Sequence, residues 1–153
     1  MKMKRVIIMQ GIPGSGKSTW IIQNLVDTKH LVVSADHFRV DSCGVYHFDA
    51  TNPQVAHGKC LLAFIEACAA GVDTIVVDNT NTTAVEIAPY HAIAQAYHYD
   101  VKIVRIVADP AICVKRNIHG VPAAGIDTMA ERLAGFRSMP QWTVEVKDEE
   151  KAA

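Results

Sequence analysis

An α/β fold is what this sequence predicts: a parallel sheet of four to five strands between two helical layers. Three observations predict it. Short apolar runs rich in β-branched residues recur along the chain, at 5–10, 31–34, 72–78 and 101–107. A helical stretch follows each, long enough for the right-handed crossover that parallel strands require. The runs are apolar at successive positions, as strands covered on both faces are.

Each element follows in order. RVIIMQ at 5–10 is a buried strand, and residues 11–16 break it. KSTWIIQNLV at 17–26 reads as a helix, and LVVS at 31–34 as the second strand, with residues 35–39 at its carboxyl end. Residues 41–52 read as a loop around Gly44. Pro53 suits a first helical turn, with Asn52 as cap and Gly71 as terminator after Ala70. VDTIVVD at 72–78 is the third strand. The polar residues 80–83 cap a helix over 84–97, in which Pro89 marks a kink or the true start. VKIVRIV at 101–107 is the fourth strand, and Asp109-Pro110 opens a helix through Asn117. Residues 120–125 read as a break, and Ile126 or Asp127 starts a last helix to Arg137. A short fifth strand is expected at 142–146, with a solvated tail at 147–153 beyond a domain at 1–146.

Composition bounds the function. The 153 residues, half apolar and one-fifth charged, suit one globular domain with a single core. A net charge of −1 gives no strong global field, so any nucleic acid must meet a local patch. The apolar run near the N-terminus is too short for a signal peptide or a membrane span. A cytoplasmic protein without membrane contact is expected. Cys60, Cys68 and Cys113 fall in helical runs and read as core residues in a reducing compartment. The seven histidines show no metal-ligand spacing, and His30, His47 and His57 read as surface or packing residues.

The strongest motif is Gly11-Ile-Pro13-Gly14-Ser15-Gly16-Lys17-Ser18, followed by Thr19. It fits G-x-x-x-x-G-K-[ST], and it joins a strand to a helix, as a P-loop does. The glycines let backbone N–H groups wrap phosphate oxygens, and the helix N-terminus adds positive potential. Lys17 suits the β- and γ-phosphates of ATP or GTP, and the Ser18 hydroxyl suits Mg²⁺. The fold class is therefore the P-loop NTPase sandwich. Motors usually need a longer chain for their coupling elements, and a switch needs an N-K-x-D run, which is absent. A small kinase fits the length.

Polar chemistry gathers where the strands end. Asp36, past strand two, suits a general base for an acceptor hydroxyl; a helix N-cap is the alternative. Arg39, three residues on, would share its face and hold an acceptor anion. Asp78 ends its strand like a Walker B acid, and would hold Mg²⁺ through water or bind the acceptor; with Asn79, Thr80 and Asn81 it would otherwise serve only to cap the next helix. Lys115, Arg116 and His119 fit either a phosphate-closing lid or ordinary charge at a helix C-terminus. Phe38, Tyr46, Phe48 and Tyr90 would stack a terminal base or simply pack.

Together, GIPGSGKSTW, SADHFR, VVDNTNTT and VKRNIHGVP resemble the 5′-hydroxyl polynucleotide kinase family, including its bacteriophage member. The likeness is strongest to the P-loop kinase domain of animal ubiquitin-ligase-binding proteins, and it spans residues 4–137. The resemblance implies transfer of the ATP γ-phosphate to the 5′-hydroxyl of DNA or RNA. It implies Lys17 and Ser18 on ATP and Mg²⁺, Asp36 as base, and Arg39 on the acceptor's 3′-phosphate. It places Asp78, Thr80 and Asn81 by the acceptor nucleotide and makes Arg116 a lid arginine. His119 and Gly120 stand near the place of the phage enzyme's second lid arginine. The few candidate cations suggest a single-stranded 5′-end held through one or two nucleotides. The rival readings are a kinase of a nucleotide sugar or nucleoside, and a non-catalytic nucleotide-binding module.

Overall fold

The computed structural model describes residues 3–39, 43–45, 53–117 and 120–148. The elements, in order, are β1 (Arg5–Gln10), α1 (Lys17–Leu25), β2 (Leu31–Val33), a 3-10 turn (Ala35–Phe38), α2 (Pro53–Ala69) and β3 (Thr74–Asp78). Then come α3 (Ala84–Ala96), β4 (Asp100–Val107), α4 (Pro110–Arg116), α5 (Ala123–Ala134) and β5 (Val144–Asp148). The five strands form one sheet in the order β2-β3-β1-β4-β5, and every pairing is parallel.

The strands alternate their side chains between two covered faces. Val6 and Ile8 of β1 join Ile75, Val77 and Ile103 beneath α2 and α3, which contribute Cys60, Phe64, Ile87 and Ala94. Ile7 and Met9 point the other way, with Val76, Val104 and Ile106, and α1 covers them through Ile21 and Leu25. A smaller cluster seats α4 and α5 against the loop after β1, through Ile12, Cys113, Val121 and Ile126. The result is the expected three-layer α/β sandwich on a parallel sheet.

Several expected boundaries move, each for a local reason. Pro89 stands inside α3, which begins at Ala84 under a Thr83 cap. α5 begins at Ala123, not at 126 or 127, because Pro122 presets the chain at its N-cap and the alanines after it favour helix. It ends at Ala134 with Gly135 at the C-cap. β5 runs to Asp148, pairing with Val107, so Lys147 and Asp148 belong to the sheet rather than to a tail from 147. Trp142 instead packs on His91, with ring centroids 5.4 Å apart. Among the described residues no helix is long and apolar enough to cross a membrane.

Candidate active site

The carboxyl ends of β1, β2 and β3 face a cavity of about 460 Å³. The first wall is the loop between β1 and α1. Gly14 and Gly16 take φ of 80° and 105°, a region open to glycine and strained for other residues. A Cβ on Gly14 would lie 2.6 Å from the Cys113 carbonyl oxygen, so the loop rests directly on α4. Lys17 Nζ donates to the Gly11 and Ile12 carbonyls at 2.9 and 3.2 Å, which holds its ammonium across the loop. Burial pushes the Lys17 ammonium down, and the Asp78 and Asp36 carboxylates oppose that. Pro13, Gly14, Gly16, Lys17, Ser18 and Thr19 line the cavity. Gly11 and Ser15 do not. Gly11 spends its N–H on the Thr80 carbonyl, and the buried Ser15 closes its own onto Ile12.

The second wall is the 3-10 turn after β2. Ser34 caps it, its Oγ accepting from Asp36 N at 3.2 Å. Capping therefore falls to Ser34, and Asp36 stands on the cavity wall with a side chain 44% exposed. Arg39 Nε is 3.8 Å from Asp36 Oδ1, and its side chain is only 10% exposed. One turn of 3-10 helix carries both groups on one face, as the three-residue spacing predicts.

The third wall is the segment after β3. Asp78 and Thr80 line the cavity, whereas Asn81 does not. Asn81 is buried, with φ of 48°, and its amide donates to the Met9 carbonyl at 2.7 Å. Gln10 Nε2 in turn donates to the Asn81 carbonyl at 2.9 Å. The expected acceptor contact of Asn81 is thus replaced by a structural one: the chain reverses there and turns the amide under β1. Asn79 is a further joint. Its Oδ1 accepts from Ala35 N at 2.9 Å and its Nδ2 reaches Cys60 Sγ at 3.5 Å, tying β3 to the 3-10 turn and to α2.

The far side is α4 and α5. Arg116, Asn117, Val121 and Met129 line the cavity, and Lys115 does not. Asn117 Nδ2 donates to the Val121 carbonyl, tying the end of α4 to the residue before the α5 cap. His119 lies outside the described residues, as do Tyr46, His47, Phe48 and Asn52. Tyr90 is buried against Phe64, with ring centroids 5.0 Å apart, so it packs in the core and no base can reach it. Phe38 is exposed beside Arg39. His57, expected to pack or face solvent, is exposed as expected and also lines the cavity. Its sequence signal is its place on α2, four residues past Pro53; nothing local shows that α2 packs on the 3-10 turn.

A sequence model of the AAA domain matches residues 6–119, which hold the loop, the Asp36 turn and the Asp78 segment. The chain belongs to this AAA-domain family. Human NEDD4-binding protein 2 is 31% identical over 144 residues, covering 88% of this chain and 8% of that protein. The chain therefore spans a small part of that relative's length. Among solved structures, the Pnkp1/Rnl/Hen1 RNA repair complex contains a chain similar to this one with a TM-score of 0.69 at 18% identity, over 88% of this chain and 45% of the other. A gluconokinase from Sinorhizobium meliloti 1021 superposes with a TM-score of 0.63 at 16% identity, over 97% of this chain and 84% of the other. These likenesses show the fold, that of a kinase-like P-loop domain.

Nucleotide and Mg²⁺, which such folds generally bind, fit the residues present. The left-handed glycines open the loop backbone, Lys17 brings a cation, and Ser18 and Asp78 bring two oxygen donors to one cavity. Among the described residues no group of three or more His, Cys, Asp and Glu could hold a metal ion.

Proposed function

We propose that this domain transfers the γ-phosphate of ATP to the 5′-hydroxyl of a polynucleotide, DNA or RNA. The observation that carries the reading is the Asp36–Arg39 pair, presented by one turn on the wall of the cavity that the phosphate loop also lines. The identity with NEDD4-binding protein 2 and the fold shared with a chain of an RNA repair complex support it.

In this reading the loop and Lys17 hold the β- and γ-phosphates, and Arg116 from α4 adds positive charge on them. Ser18, with Asp78 nearby, would hold Mg²⁺, which would neutralise charge on the phosphates. Asp36 takes the proton of the acceptor hydroxyl as that oxygen bonds to the γ-phosphorus, and the bond to the β-phosphate oxygen breaks to release ADP. Arg39 orients the acceptor, and Thr80 lines its pocket.

The test offers labelled ATP with 5′-hydroxyl DNA, 5′-hydroxyl RNA, nucleosides and nucleotide sugars. Label on the oligonucleotide is expected, and Asp36→Asn lowers it by roughly 10²–10⁴-fold. Label on a small metabolite alone sinks the polynucleotide reading. That outcome favours the second reading, a small-molecule kinase, which the gluconokinase likeness supports. Binding of ATP without transfer to any acceptor leaves a nucleotide-binding module.

A further inference from the structure

We infer that His57 is a second acceptor-side residue, forming with Arg39 a subsite for a phosphate group carried by the acceptor. The inference rests on the kinase reading for the place of the acceptor; what it adds is His57. In a polynucleotide whose 5′-hydroxyl reacts, the nearest phosphate lies on the 3′ side of the same nucleotide. That phosphate must sit on the acceptor wall while the hydroxyl reaches Asp36.

Three observations converge on His57. It lines the same cavity as Asp36 and Arg39, although it comes from a different element. α2, which carries His57, packs on the 3-10 turn that ends at Arg39. The charged groups that act on it are Arg39 and Asp36 from the turn and Glu86 from α3. Burial and the Arg39 guanidinium hold the imidazole below its usual range, with Glu86 and Asp36 opposing. A cation beside a titratable ring, on the wall of a cavity, is a setting that an anion changes. A phosphate between the two removes their repulsion, accepts a hydrogen bond from each, and lets His57 take up a proton. Acceptor phosphate then binds more tightly as pH falls from about 8 towards about 6.

The experiment has two readouts on the intact chain. Steady-state kinetics compare a nucleoside with its 3′-phosphate as acceptors in the wild type, His57→Ala and His57→Gln. His57→Ala is expected to raise the KM of the 3′-phosphate roughly tenfold more than that of the nucleoside. His57→Gln, which keeps an N–H donor, recovers part of this near pH 8 and loses the gain at lower pH. Equal effects of His57→Ala on both acceptors overturn the subsite. Separately, the His57 ring is titrated by NMR in the ADP-loaded protein, assigned against His57→Gln. Nucleoside 3′-phosphate, and more weakly inorganic phosphate, is expected to move its midpoint up. A midpoint unmoved by either overturns the subsite whatever the kinetics show. A raised midpoint with no turnover of any 5′-hydroxyl acceptor keeps the subsite, for a different phosphorylated acceptor, and discards the polynucleotide reading.

Discussion

Asn79 and Asn81, two residues apart, use their side-chain amides to join elements. Asp78, Asn79 and Thr80 all stand on the cavity wall, and Asn79 also joins elements, while Asn81 turns inward and does not line the cavity. Asn81 is the more exacting position. It holds a left-handed backbone and satisfies a buried carbonyl of β1 at once. Asparagine visits that region more readily than other non-glycine residues. Replacing it by alanine leaves the Met9 carbonyl unpaired and strains the turn. A loss of about 1–3 kcal/mol in urea unfolding is expected. Asn81→Gly relieves the strain and recovers only part of the loss. A cost below about 0.3 kcal/mol would show that Asn81 does not hold the turn. The motif string alone implied an acceptor contact here, because D-N-T-N does not say which side chains a reversing chain turns inward.

Elements meet at the site through contacts far apart in sequence. The close approach of Gly14 to Cys113 couples the phosphate loop to α4, which carries Arg116. Asn117 then ties the end of α4 to Val121, just before α5. At the other edge of the sheet, β5 is held to β4 by its ladder and by charge. Lys102 Nζ lies 2.9 Å from Glu145 Oε2, and Lys147 pairs with the other oxygen. The two ammoniums bring the Glu145 carboxyl down from 4.5 to about 2. A depressed carboxyl stabilises the fold fully above its unfolded value, and the gain is lost as pH falls from about 4.5 to about 2. Glu145 is 37% exposed, so screening limits the gain to less than about 1 kcal/mol. Glu145→Gln is expected to be less stable than the wild type at neutral pH and equal to it near pH 2, as read by denaturant midpoints. A difference that persists unchanged at the acid end would remove charge as the cause.

The molecule as a whole couples ligand to stability, because one sheet and the three clusters packed around it support every wall of the site. A nucleotide that binds only the folded chain stabilises it by mass action. At about a hundred times its dissociation constant the gain is about 2.7 kcal/mol. For a domain of this size that raises Tm by roughly 5–10 °C. Lys17→Ala is expected to abolish most of the rise. It should leave the ligand-free Tm unchanged or slightly higher, since it removes a charge that burial disfavours. An equal shift in wild type and variant would show that the loop is not the nucleotide site.

The sheet and the phosphate loop were legible in the amino-acid order because both are written locally. A β-branched apolar run reads as a buried strand wherever it occurs, and Gly14, Gly16 and Lys17 carry their backbone and charge requirements with them. That Asp36 and Arg39 share a face was legible for the same reason, since three residues make one 3-10 turn. Folding decided the remainder. It chose Ser34 over Asp36 as the cap, sent Asn81 and Tyr90 into the interior, continued β5 to Asp148, and brought His57 to the cavity. Apart from the local Ser34 cap, each outcome depends on what a distant element offers: a carbonyl of β1, the ring of Phe64, a free edge of β4, or the turn beneath α2. Spacing along a chain reports the face a residue shares with its neighbours, and not what that face meets after the crossovers have closed.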